Sequence, residues 1–170
     1  ANLKKYSTSN PFAYYQIRKF VQAVLQEISA VPFTPRYILD IGCGEGLISA
    51  YGQFSVIGLD RSSAALHIAH YINPTSSFLC GIGEALPFRS HIFDLILCFE
   101  TLEHVLDVSL FLESVQRVLF SPSGIFIVSV PFSLIYRSLN LIRLKNISRY
   151  GEDADHRQFF SPKSFRILLA

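Results

Sequence analysis

A chain of 170 residues is long enough for one domain with a real core; half of its residues are hydrophobic and only 16% are charged. A net charge of +2 points to no polyanion, so a nucleic-acid partner is not expected. The greasiest run, Ile125 to Tyr136, is broken by Pro131 and falls far short of the roughly 20 apolar residues of a membrane span, and the polar and basic first residues do not read as a signal peptide.

The three cysteines, Cys43, Cys80 and Cys98, show no Cys-x-x-Cys spacing, and each sits in or beside an apolar run. That predicts reduced cysteines in a cytoplasmic protein without a disulfide framework. Methionine is absent even at position 1, which predicts a processed or trimmed chain.

In chain order, Asn10-Pro11 reads as a helix start, followed by Ile17, Phe20, Val21, Val24, Leu25 and Ile28 at helical spacing. Pro32 and Pro35 interrupt before a first strand, Tyr37 to Ile41. Gly42, Gly44 and Gly46 turn the chain into a short helix ending near Gly52. Phe54 to Leu59, closed by Asp60, is a second strand, and Ser62 can cap a helix with Ala65, Ile68, Ala69 and Ile72 on one face. Ser77 to Cys80 and Phe93 to Phe99 are further strands. Asp107 can cap a helix bearing Phe111, Leu112, Val115, Val118 and Leu119, and Ser121-Pro122-Ser123-Gly124 turns into a fifth strand, Ile125 to Val130. Ser161-Pro162 starts a last helix.

Helices alternate with strands that are continuously apolar, as when both sheet faces are covered. The expected fold class is α/β, a Rossmann-like, doubly wound, mainly parallel sheet with helices on both faces. All of it reads as one domain: a helical cap over 1–35, a ligand-binding core over 36–130, and a substrate-side lid with the final helix over 131–170.

Ligands of such sheets bind at the C-terminal ends of strands. The first strand ends in Gly-x-Gly-x-Gly, not the Gly-x-Gly-x-x-Gly of dinucleotide binders, which argues against a nucleotide-dependent oxidoreductase. The second ends at Asp60, about 20 residues on, the spacing at which an acid reaches ribose hydroxyls. A carboxylate there can accept from both hydroxyls at once. Other roles for these acids are structural: Asp40 bracing the glycine turn, and Asp60 capping the following helix in competition with Ser62. The third and fourth strands lead into Gly81-Ile82-Gly83-Glu84-Ala85-Leu86-Pro87-Phe88 and Cys98-Phe99-Glu100-Thr101-Leu102-Glu103-His104.

Asp40-Ile41-Gly42-Cys43-Gly44-Glu45-Gly46, Gly58-Leu59-Asp60, Glu84-Ala85-Leu86-Pro87-Phe88, Phe93-Asp94-Leu95-Ile96 and Leu102-Glu103-His104-Val105 resemble, in order, the motifs of class I S-adenosylmethionine-dependent methyltransferases. Arg117-Val118-Leu119, Ser123-Gly124 and Val130-Pro131 continue the resemblance. It implies S-adenosyl-L-methionine as cofactor. Asp40, Gly42, Cys43 and Gly44 would hold the methionine part, and Asp60 the ribose, with Arg61 flanking the adenine. Gly83 and Glu84 would lie by the adenine edge, and Cys98 and Phe99 below the sulfonium. Relatives usually carry an acid directly after Gly81, to accept from the adenine amino group; here that residue is Ile82. Either Glu84 or a backbone carbonyl substitutes, or adenine is held less specifically.

A base is needed only where the methyl acceptor must lose a proton, and imidazole suits that near neutral pH. His104, after the fourth strand, and His156, before the last helix, are the candidates; the other reading of each is a structural hydrogen-bonding histidine. Glu100, Glu103 and His104 with the later Asp155-His156 also resemble the metal-binding set of small-RNA 2′-O-methyltransferases. Leu-Glu-His-Val is common in metal-independent relatives, however, and a basic RNA surface is missing, so no metal is expected.

Segment 131–150 combines an apolar stripe with Arg137, Arg143, Lys145 and Arg149, suiting a lid, a peripheral membrane contact or a cover for a lipid-linked acceptor. The family sheet normally ends in an antiparallel pair of strands. That pair is expected to be missing, leaving the fifth strand an open edge through which two copies can pair. The expected activity is O-methylation of a small-molecule, glycan or lipid-linked acceptor. The alternative is a domain of this fold that has lost catalysis and serves as a binding module.

Overall fold

The computed structural model describes residues 11–131. Helix α1 (Pro11–Ser29) precedes strand β1 (Ile38–Ile41), which runs through the glycine turn into α2 (Leu47–Gly52). Strand β2 (Ile57–Asp60), α3 (Ser63–Ile72) and β3 (Ser77–Cys80) follow. A 3-10 turn, Gly83–Ala85, leads to β4 (Leu95–Phe99), a second 3-10 turn, Leu102–His104, to α4 (Val108–Val118), and the chain then enters β5 (Ile125–Ser129). Segment 132–170, and with it His156, the lid residues and the helix expected after Ser161, lies outside the described residues.

The strands form one parallel sheet in the order β3-β2-β1-β4-β5. The chain steps outward from β1 to β3, then returns to lay β4 on the other side of β1. The direction of winding reverses at β1 and β4, the place where open α/β sheets leave a crevice beyond their strand ends.

Alternation along the strands feeds two apolar layers. Leu39, Ile41, Leu59, Ile96 and Cys98 pack with Phe111, Val115 and Val118 on one face. Ile38, Leu95 and Leu97 join Val56 on the other, with Phe54, Phe78 and Phe99 packed against them. Two buried layers explain why the strands read as continuous apolar runs rather than as alternating ones. At the opposite end from the crevice, the Asp94 carboxylate accepts from the backbone N–H of Arg36 (2.8 Å) and Tyr37 (2.9 Å), fixing the start of β1 against the start of β4.

Strand β3 has its expected bounds, while the other strands are shorter than expected, for local reasons. Phe54 N–H donates to Ser49 O and closes α2, while Val56 N–H donates to the Ser76 hydroxyl, so β2 pairs only from Ile57. Phe93 makes a single bridge to Leu119 before β4 begins. The residue that ends α2 in the left-handed region is Gln53, at φ 55°, rather than Gly52. Both expected helix caps form: the Ser62 hydroxyl accepts from Ala65 N–H, and the Asp107 carboxylate from Ser109 and Leu110 N–H. Among the described residues no helix is long and apolar enough to cross a membrane.

Candidate functional site

The turn after β1 holds Gly42, Gly44 and Gly46 at φ +74°, +53° and +69°, a region that L side chains rarely adopt. Gly42 has a second constraint, because a Cβ there would collide with the Thr101 side chain. Gly44 faces open space. The turn is fastened from several elements. Gly42 N–H donates to Leu59 O (2.7 Å), and the buried Asn73 amide and the Ser49 hydroxyl donate to Gly46 O (2.7 and 3.0 Å).

Asp60 supplies a further fastening. One carboxylate oxygen accepts from Gly44 N–H (2.9 Å), and the other accepts from Ser62 N–H (2.8 Å). The acid bracing the glycine turn by hydrogen bond is therefore Asp60 and not Asp40, while the cap of α3 is Ser62. Each carboxylate oxygen has two lone pairs, so Asp60 keeps acceptor capacity toward the cleft that it lines.

Asp40 is only 4% exposed. Burial, and after it the charge of Asp60, pushes its carboxyl up to about 7. Burial likewise drives the thiols of Cys43 and Cys98 well above their ordinary range, with Asp40 adding to both, so neither is a thiolate nucleophile.

A cleft of roughly 440 Å³ opens over the strand ends. It brings together Gly42, Gly44, Asp60, Arg61, Gly83, Glu84 and His104 among the expected site residues. The other expected cofactor contacts, Asp40, Cys43, Cys98 and Phe99, lie off its lining. Cys98 is fully buried in the layer under α4, and Phe99 turns to the opposite face, edge-on to Phe20 at 6.4 Å. Strand alternation sends one side chain into each apolar layer. His104 stands at the cleft with a third of its side chain exposed and Nε2 4.0 Å from the buried Glu103.

Three sets of contacts around the site escape a reading of the sequence. Thr101 lines the cleft and fills the space behind Gly42. Glu100 lines it too, at φ +51°, with a carboxylate oxygen accepting from the Ser129 hydroxyl. Arg117, far away on α4, donates to Leu86 O (2.7 Å) and Phe88 O (2.6 Å), holding the loop after the first 3-10 turn. No local pattern announces such contacts.

The donor set fits S-adenosylmethionine. Open space at Gly44 admits backbone approach, Asp60 offers acceptors for a diol, and the nearly anhydrous Asp40 carboxylate favours a cation within reach of its field. Comparison with known proteins agrees. The family model described as a methyltransferase domain matches residues 12–170. The ubiquinone biosynthesis O-methyltransferase of Bartonella quintana is 31% identical over 153 residues, covering 84% of this chain and 62% of that protein. The mouse mitochondrial protein of the same name is 26% identical over 151 residues, 81% of this chain and 41% of that one. The chain thus spans less than two thirds of these curated relatives. The crystal structure of an S-adenosylmethionine-dependent methyltransferase from Thermotoga maritima shares the fold, with a TM-score of 0.70 at 22% identity over 89% of this chain and 69% of its own. With the family model matching nearly its whole length, the chain belongs to the methyltransferase-domain family of class I S-adenosylmethionine-dependent methyltransferases.

Proposed function

We propose that this chain binds S-adenosylmethionine and serves an O-methyltransferase acting on a small-molecule or lipid-linked acceptor. The observation that carries the reading is one cleft joining the glycine turn, Asp60 and the 81–84 loop across the ends of β1, β2 and β3. The named O-methyltransferase relatives favour oxygen as the accepting atom. Bound here, S-adenosylmethionine supplies a methyl group on an electron-poor sulfonium.

The protein's own part is placement and proton handling. Asp60, already oriented by Gly44 and Ser62 N–H groups, accepts from the ribose hydroxyls. Gly42 and Gly44 bring backbone close to the amino-acid end. Asp40 acts on that end through its charge rather than by lining the cleft. His104, at the cleft wall, takes the proton from the acceptor hydroxyl.

Calorimetry with S-adenosylhomocysteine tests the reading. The parent chain should bind. Asp60→Ala, losing about 3 kcal/mol of charge-assisted hydrogen bonding, should bind roughly a hundredfold more weakly. His104→Ala should keep its affinity within about threefold, as befits a group reserved for the acceptor. Unchanged affinity in Asp60→Ala would remove its assigned role. An absence of heat in the parent would favour the alternative, a partner-binding domain that has lost catalysis.

A further inference from the structure

Past Asp60 the cleft changes character. Ile82 is 51% exposed and Leu106 67% exposed, yet both line the cleft. Aliphatic side chains left this open inside a concave site offer apolar surface to a ligand. Their positions are fixed by two ties. Gly81 N–H donates to Asp60 O (3.0 Å), setting Ile82, just beyond the end of β3, beside the end of β2. Leu106 N–H donates to a Glu84 carboxylate oxygen (2.9 Å), linking the loop that carries Leu106 to the loop that carries Ile82. One oxygen of the acid on this wall, Glu84, is thus turned to joining the two loops.

Sheet geometry says which part of a nucleoside would meet these residues. Asp60 pairs across to Cys80, so the backbone from which the loop after β3 departs is one strand spacing, about 4.8 Å, from that of Asp60. That is the offset of a base from its own ribose diol. Resting on the cofactor reading above, we infer that Ile82 and Leu106 grip the base of the cofactor through its apolar surface, and that this chain does not read the group at position 6 of the purine. Adenine and hypoxanthine present similar flat surfaces; they differ at that position by an amino donor against a keto acceptor. A wall of aliphatic carbon distinguishes them poorly.

The test is calorimetry on the full chain with S-adenosylhomocysteine and S-inosylhomocysteine. The parent should bind the two within about threefold of each other. Ile82→Asp puts a carboxylate acceptor on the wall and should create a preference of about tenfold or more for the adenosyl ligand. Leu106→Ala should weaken both ligands severalfold and equally. Both side chains are largely exposed, so these variants keep the core, which their melting temperatures check. A parent preference above tenfold for the adenosyl ligand would overturn the inference and leave the cofactor reading standing. So would a Leu106→Ala variant binding both ligands as the parent does. No heat from S-adenosylhomocysteine would overturn the cofactor reading and this inference with it.

Discussion

Asp40 has lost nearly all contact with water and feels a second carboxylate, Asp60, across the glycine turn. Its carboxyl titrates near 7 in the folded chain against an ordinary 3.8. Between those values the folded state keeps a proton that the unfolded state has released, so stability falls as pH rises from about 4 to about 7 and is level above that. The cost at neutral pH is on the order of 4 kcal/mol. Asp40→Asn should therefore raise the melting temperature of the ligand-free chain at pH 8 by roughly 5 °C or more, and change it little at pH 4. Equal shifts at both pH values would show that packing, not charge, is responsible. The residue's importance was legible from its place before the glycines. Its state was not, because burial and a neighbour 20 positions along the chain decide it.

The glycine turn is an element whose shape is imposed from outside. Gly46 O accepts from Asn73 at the end of α3 and Ser49 within α2, and Gly44 N–H is taken by Asp60 at the end of β2. Asn73→Ala removes a buried donor while Ser49 still serves Gly46 O. A stability loss of about 1–2 kcal/mol is expected, seen as a lower denaturant midpoint at unchanged slope. A severalfold weaker calorimetric affinity for S-adenosylhomocysteine should accompany it, since the turn loses its rear support. Stability loss with untouched affinity would mean that the turn holds its shape without Asn73. Contacts of this kind explain what could be read beforehand. Ser62 and Asp107 cap helices that begin beside them in sequence, and both caps were legible. Arg117 reaches Leu86 and Phe88 from 31 and 29 residues away, and periodicity carries no trace of that. Strand boundaries drifted inward for the same reason: Val56 donates to Ser76, 20 residues on, instead of entering the ladder.

At the scale of the molecule, helix–strand alternation made the doubly wound class legible, but the order β3-β2-β1-β4-β5 decides what meets what. By placing β1 between β2 and β4, it puts the buried Asp40 and the cleft-lining Asp60 close enough to interact electrically. Under the proposed function, Asp40 acts on the cleft without lining it. If that field helps to hold the cationic end of S-adenosylmethionine, binding favours the ionised form of Asp40 and releases a proton wherever the free chain still carries one. Affinity should then rise with pH up to about 7, by at most tenfold per unit, and level off above it. Titrations at pH 6 in two buffers of different ionisation enthalpy should show proton release approaching one per site, and Asp40→Asn should abolish both the release and the pH slope. A parent affinity flat from pH 5.5 to 8 would mean that Asp40 stays protonated with ligand bound, and that its charge has no part in binding.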